Sequence, residues 1–166
     1  MSDDVIAGSA SALAADVLAA ARVRGDLIAT AESCTGGLVS AALTAIPGSS
    51  DVFDRGFVTY TNTAKSEMLD VPYWLIESHG AVSEEVARAM AGGALKRSNA
   101  SVAVAVTGIA GPGGGSTSRP VGLVHFAAGR PDGSMQHAHL QLGDIGRAEI
   151  RQRSVEQALM MLQSLL

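Results

Sequence analysis

The run Ala100–Thr107, ASVAVAVT, carries no charge and is apolar at odd and even positions alike. Side chains of a strand alternate between the two faces of a sheet, so a strand of this kind must be covered on both sides. That one stretch excludes a sheet with a wet face and requires helices above and below it. The rest of the chain supplies them. Ser9 to Arg24 is Ala-rich, with Leu13, Val17 and Ala21 on one stripe, and Gly25 is placed to end that helix. Leu27–Ala31 reads as the first strand, Gly36–Ala45 as a helix broken by Ile46-Pro47-Gly48-Ser49, and Phe53–Tyr60 as the second strand. Thr61-Asn62-Thr63 offers an N-cap to a short helix over Ala64–Leu69. Residues 73–82 suit neither helix nor strand clearly. Ser83-Glu84-Glu85 opens a helix to about Arg97, and the Gly92-Gly93 pair inside it suggests close packing against another backbone.

After a Gly/Pro/Ser loop from Gly108 to Pro120, Val121–Ala128 and Met135–Leu142 read as two strands joined through Pro131-Asp132-Gly133, an antiparallel hairpin. A last helix starts near Arg147, with Val155, Leu159, Leu162 and Leu166 on one face. Early alternation of strand and helix followed by a late hairpin predicts a three-layer α/β/α sandwich on a mixed, mainly parallel sheet. The 166 residues are read as one domain, 1–166, with a loose start over 1–8.

Composition removes several function classes. No apolar run approaches the ~18 residues of a membrane span. Asp3 and Asp4 stand where a signal peptide would be positive, so no export is expected. One cysteine allows no internal disulfide and fits a reducing cytoplasm. A net charge of −4 gives no basic footprint for a nucleic acid.

Three polar clusters follow predicted strands. Glu32-Ser33-Cys34-Thr35-Gly36-Gly37 sits between a strand and a helix, where free N–H groups and the helix dipole favour negative charge; an ordinary helix cap fits the same residues. Tyr60-Thr61-Asn62-Thr63-Ala64-Lys65 is a second strand-to-helix turn, and by itself it reads as a turn with an exposed lysine. Thr107 to Ser116 is Gly-rich and could cradle a phosphate or merely connect two strands; it is neither a P-loop nor a dinucleotide fingerprint. His137 and His139 alternate on a strand without a third ligand, which is a poor metal site, and His79 and His125 are isolated in sequence. Cys34 could be a nucleophile with a depressed pKa or a small buried residue. If Ser33 is the nucleophile it needs a base, and with no persuasive histidine a lysine kept neutral by burial is the natural candidate.

Taken together, TAESCTGG (30–37), GFVTYTNTAK (56–65), HGAVSEE (79–85) and VTGIAGPGGG (106–115) resemble the nicotinamide-nucleotide amidase family, the C-terminal domain of the competence/damage-inducible protein CinA. The resemblance runs from about Ser9 to Leu166. It implies an α/β/α sandwich that deamidates nicotinamide mononucleotide to nicotinate mononucleotide and ammonia, with Ser33, Tyr60 and Lys65 as catalytic residues. Glu32, Thr35, Gly36, Gly37, Thr107, Gly108 and Arg147 are the expected substrate-binding residues. No metal and no organic cofactor is expected. The expected partners are the nucleotide substrate and a second copy in a homodimer, in the cytoplasm, with neither nucleic acid nor membrane. Two positions depart from the family pattern: Thr63 replaces an acidic residue, and Ile145-Gly146 is inserted between Gly143-Asp144 and Arg147, with Arg147 and Arg151 matching the family arginines. The alternative reading is a non-catalytic module that binds a nucleotide or a protein.

Overall fold

The computed structural model describes residues 8–166. The loose start expected for 1–8 therefore falls outside the described residues, except for Gly8, which opens the first helix. Five strands form one sheet: β1 (Ile28–Glu32), β2 (Phe53–Val58), β3 (Val102–Gly108), β4 (Leu123–Gly129) and β5 (Met135–Gln141), in the order β2-β1-β3-β4-β5. β1 pairs parallel with both β2 and β3, while β4 runs against β3 and β5. Helices α1 (Gly8–Arg24), α2 (Leu38–Thr44) and α6 (Arg147–Leu165) cover one face; α3 (Asn62–Leu69), α4 (Tyr73–His79) and α5 (Glu84–Lys96) cover the other. This is the predicted three-layer sandwich on a mixed sheet.

The alternation within β3 decides how the layers sit. Val102, Val104 and Val106 join the core under α1 and α6, and Ala103 and Ala105 join the core under α5. Ala29, Ala31 and Ala127 extend that small-residue surface across β1 and β4, so α5 can approach the sheet closely. Ser83 caps α5 through its hydroxyl, which accepts from the Val86 N–H, with Glu84 and Glu85 in the first turn.

Several boundaries shift from expectation for identifiable reasons. α2 starts at Leu38 rather than Gly36, because Gly36 and Gly37 adopt φ of 58° and 103° and form the turn that precedes the helix. β2 ends at Val58, which leaves Thr59 and Tyr60 to lead into α3. β4 begins at Leu123 rather than Val121. The ambiguous segment 73–82 contains α4 and then an irregular stretch before α5.

β1 and β3 lie side by side, yet the chain leaves β1 toward β2 and leaves β3 toward β4. The crevice beyond the C-terminal ends of two such parallel strands is where open α/β sheets place their ligands. Ser33 follows β1 at that point, and Thr107 lies near the end of β3.

Candidate active site

Ser33 leaves β1 with its N–H still bonded to the Val106 carbonyl at 3.0 Å. Its carbonyl accepts from the Gly36 N–H, also at 3.0 Å, and closes a tight turn. Lys65 comes from α3, whose start is fixed by the Thr61 hydroxyl accepting from the Ala64 N–H. Only 1% of Lys65 is exposed, and it heads the largest fully buried side chains. Its Nζ lies 3.0 Å from Ser33 Oγ and 3.0 Å from the Thr59 carbonyl oxygen. Among the described residues it pairs with no carboxylate. Burial pushes its pKa down, because the charged form loses hydration that no counter-ion replaces. An amine and a hydroxyl thirty-two positions apart therefore meet in a buried contact.

Above them is a cavity of about 270 Å³. Ser33, Cys34, Tyr60, Asn62, Lys65 and Arg147 line it, together with Ala81, Val82 and the loop from Thr107 to Gly114. Arg147 spans its rim: one guanidinium nitrogen donates to the Gly111 carbonyl at 2.7 Å, the other to the Tyr60 hydroxyl at 2.9 Å. The inserted Ile145-Gly146 ends at the N-cap of α6, where Gly146 adopts a φ of 98° and Arg147 becomes the first helical residue. Thr107 is almost fully buried, and its hydroxyl donates to the Ala81 carbonyl at 2.8 Å. Arg119 donates to the Val82 and His79 carbonyls, so the 79–82 wall is held from the Gly-rich loop.

Residues 10–166 match the model of the CinA C-terminal domain. The chain belongs to the CinA C-terminal domain family. A CinA-like protein of Synechococcus sp. (strain RCC307) is 54% identical over 151 residues, which cover 90% of this chain and 36% of that protein. A CinA-like protein of Mycobacterium sp. (strain JLS) is 53% identical over 144 residues, 86% of this chain and 34% of that one. The chain thus spans about a third of the length of such relatives. The crystal structure of the competence/damage inducible protein CihA from Agrobacterium tumefaciens superposes with a TM-score of 0.95 at 53% identity, covering 96% of this chain and 97% of that one. The competence damage-inducible protein A (ComA) from Klebsiella pneumoniae gives 0.89 at 35% identity, covering 93% and 95%.

Within this member of the CinA C-terminal domain family, the residues expected at the substrate divide into two groups. Ser33, Tyr60, Lys65, Thr107, Gly108 and Arg147 line the cavity. Glu32, Thr35, Gly36 and Gly37 do not. Glu32 is fully buried, and its carboxylate accepts from the Thr35 hydroxyl, the Val39 and Ser40 N–H groups and the Ser40 hydroxyl at 2.8–3.0 Å. The helix N–H groups expected to face a ligand are thus occupied by the chain's own carboxylate. Cys34 is a buried thiol at the cavity wall, and burial raises its pKa to about 11. Tyr60 is on the cavity wall, engaged with Arg147 and largely exposed.

Thr63, the departure from the family pattern, bonds the Tyr73 hydroxyl at 2.8 Å. The Thr59 carbonyl holds Lys65 instead of an acidic neighbour. The β4–β5 register brings His125, isolated in sequence, beside His137 and His139. The three rings stack with centroids 5.2–6.0 Å apart, and His125 Nδ1 lies 2.9 Å from His137 Nε2. Sequence reasoning does not assign Asn62, Ala81 or Val82 to the site, although all three stand inside motifs quoted above and could have been found there. Arg151 is singled out there only as matching a family arginine; its contact with the Ser33 turn is a long-range one.

Proposed function

We propose that this chain hydrolyses the carboxamide of nicotinamide mononucleotide, giving nicotinate mononucleotide and ammonia through a serine acyl-enzyme. The observation that carries the reading is the buried Lys65 amine, without a counter-ion, 3.0 Å from Ser33 Oγ at the floor of a cavity. A lysine whose charged form is disfavoured is a base, and a serine hydroxyl within hydrogen-bond reach is the group it activates. Membership of the CinA C-terminal domain family, which includes nicotinamide mononucleotide amidases, supports the choice of substrate.

In this scheme Ser33 Oγ attacks the amide carbon while Lys65 takes the hydroxyl proton directly. Lys65 then delivers that proton to the departing nitrogen, and the C–N bond breaks to release ammonia. A water, deprotonated by the same amine, cleaves the ester and returns Ser33 to its hydroxyl form. The N–H of Cys34, which lines the cavity next to the nucleophile, is the donor placed for the oxygen that gains charge. One such donor is worth roughly 3 kcal/mol of barrier. The Tyr60 hydroxyl accepts from Arg147 and keeps its own proton free for the substrate. Arg147 offers the phosphate a planar cation at the cavity rim, and a remote anchor of that kind orients the reacting end.

The test is ammonia release from nicotinamide, its riboside and its mononucleotide. Release from the mononucleotide is expected, together with its loss in Ser33→Ala and continued nucleotide binding by that variant. Unchanged turnover in Ser33→Ala would remove the serine from the scheme. Silence of the wild-type protein, with a melting-temperature shift on adding nucleotide, would make the chain a binding module.

A further inference from the structure

Arg151 lies one helical turn beyond Arg147 on α6 but does not line the cavity. It reaches the turn that carries Ser33. Its Nε donates to the Cys34 carbonyl at 3.1 Å and its Nη2 to the Thr35 carbonyl at 3.2 Å. In a planar trans peptide, the C=O of one residue and the N–H of the next point in opposite directions. Holding the Cys34 carbonyl therefore aims the Thr35 N–H away from Arg151. Holding the Thr35 carbonyl aims the Gly36 N–H, which donates to the Ser33 carbonyl. That bond in turn sets the direction of the Cys34 N–H. Two bonds from one guanidinium thus fix both N–H groups that follow the nucleophile. Among the described residues the Thr35 N–H has no backbone acceptor, and the Cys34 N–H meets only its own thiol. N–H groups without a carbonyl partner in a turn as buried as this one are rare, and here they adjoin a serine that already contacts a base.

The dipole of α2 does not supply the missing electropositive field, since Glu32 already occupies that helix start. A guanidinium on the carbonyl side of a peptide polarises it so that the N–H becomes a stronger donor. We infer that Arg151 is a positioning residue: its grip on the Cys34 and Thr35 carbonyls aligns and polarises the turn after Ser33, so that the Cys34 N–H, at the cavity, receives the oxyanion when Ser33 attacks. This rests on the proposed serine chemistry, but not on the identity of the substrate. A lysine in its place keeps the charge and loses the two-pronged geometry, because a single ammonium cannot hold both carbonyls in the same alignment.

The experiment uses an alkyl fluorophosphonate, which needs no nucleotide. Ser33 Oγ bonds to phosphorus, the P–F bond breaks, fluoride leaves, and the hydroxyl proton passes to Lys65. Wild-type protein is expected to be labelled at Ser33, as located by peptide mass mapping. Arg151→Lys is expected to label slower by about tenfold or more, and Arg151→Met slower still. In ammonia release from the mononucleotide, Arg151→Lys should lower kcat by a similar factor and leave KM within about twofold, a split that loosened packing alone does not produce. Melting curves are to establish that each variant is folded at the assay temperature, and Arg151→Lys serves if Arg151→Met is not. Labelling of Arg151→Lys at the wild-type rate, or wild-type protein unlabelled at Ser33, overturns the inference. Labelling that follows this pattern without ammonia release leaves it standing and rejects the mononucleotide as substrate.

Discussion

Lys65 is the side chain at which burial and chemistry are most tightly linked. Its folded pKa lies below the ordinary 10.5 because burial disfavours the ammonium. Between the folded value and 10.5 the unfolded chain holds more protons than the folded one, so folding stability rises with pH across that window. Below the folded value the penalty for burying the charge is present in full. Catalysis follows the same titration, since only the neutral amine can accept the Ser33 proton. The rate of ammonia release should therefore climb with pH along a limb set below the usual lysine range. Lys65→Met replaces the amine with an apolar chain of similar length. It should lose at least about 10²-fold in kcat, the scale of a lost general base, while its melting temperature at neutral pH is no lower than wild type, because a disfavoured buried charge has been removed. A Lys65→Met protein that keeps its rate, or a wild-type rate flat with pH up to 10.5, would contradict this account.

Inside α5 two adjacent glycines make opposite demands. A Cβ on Gly93 would stand 2.0 Å from the Leu69 carbonyl oxygen, so the end of α3 rests directly on this residue. A Cβ on Gly92 would meet nothing within 4 Å. Close packing thus explains only the second of the pair, although the sequence suggests it for both. Gly92→Ala should stabilise the protein by about 1 kcal/mol, the difference in helix propensity. Gly93→Ala should destabilise it by about 1–3 kcal/mol through overpacking. Urea unfolding of the two variants checks the pair, and equal midpoints would show that the α3–α5 contact does not restrain Gly93.

The same contrast shows what a sequence of this kind makes legible. Strand ends, caps and the doubly apolar β3 are local patterns, so the layer order and the turns that carry Ser33 and Lys65 can be read directly. That Lys65 is buried against Ser33 cannot, since its turn alone reads as one with an exposed lysine and only the family resemblance singles the pair out. The destination of Glu32 cannot, because a carboxylate at a strand end serves a ligand or a helix terminus equally well. Nor can the reach of Arg151 to a turn 116 residues away, or the histidine stack set by the β4–β5 register.

At the scale of the whole molecule, the sheet end opposite the cavity is closed by a polar lock. Asp26, between α1 and β1, accepts a two-pronged bond from Arg130 at 2.9 and 3.0 Å, one bond from the Ser101 hydroxyl and one from Arg24. Arg130 follows β4, and it also donates to the Leu165 carbonyl at the end of α6 at 2.7 Å. One carboxylate therefore ties the first helix, the strand before the hairpin and the last helix together. It lies beyond the N-terminal end of β1, whereas Ser33 lies beyond the C-terminal end. The Arg130 guanidinium holds the Asp26 carboxyl well below the usual carboxylate range. The lock's stabilisation is accordingly present above the ordinary value of 3.8 and is lost as pH falls toward the lower folded value. Asp26→Asn keeps the shape and removes the charge, leaving Arg130, itself mostly buried, without its counter-ion. That should cost about 3 kcal/mol in urea unfolding near neutral pH. Because the lock and the cavity sit at opposite ends of the strands, kcat measured well below the unfolding transition should stay within about twofold of wild type. A loss under about 1 kcal/mol, or a kcat that falls along with stability, would mean that the two ends of the sheet are not independent in this way.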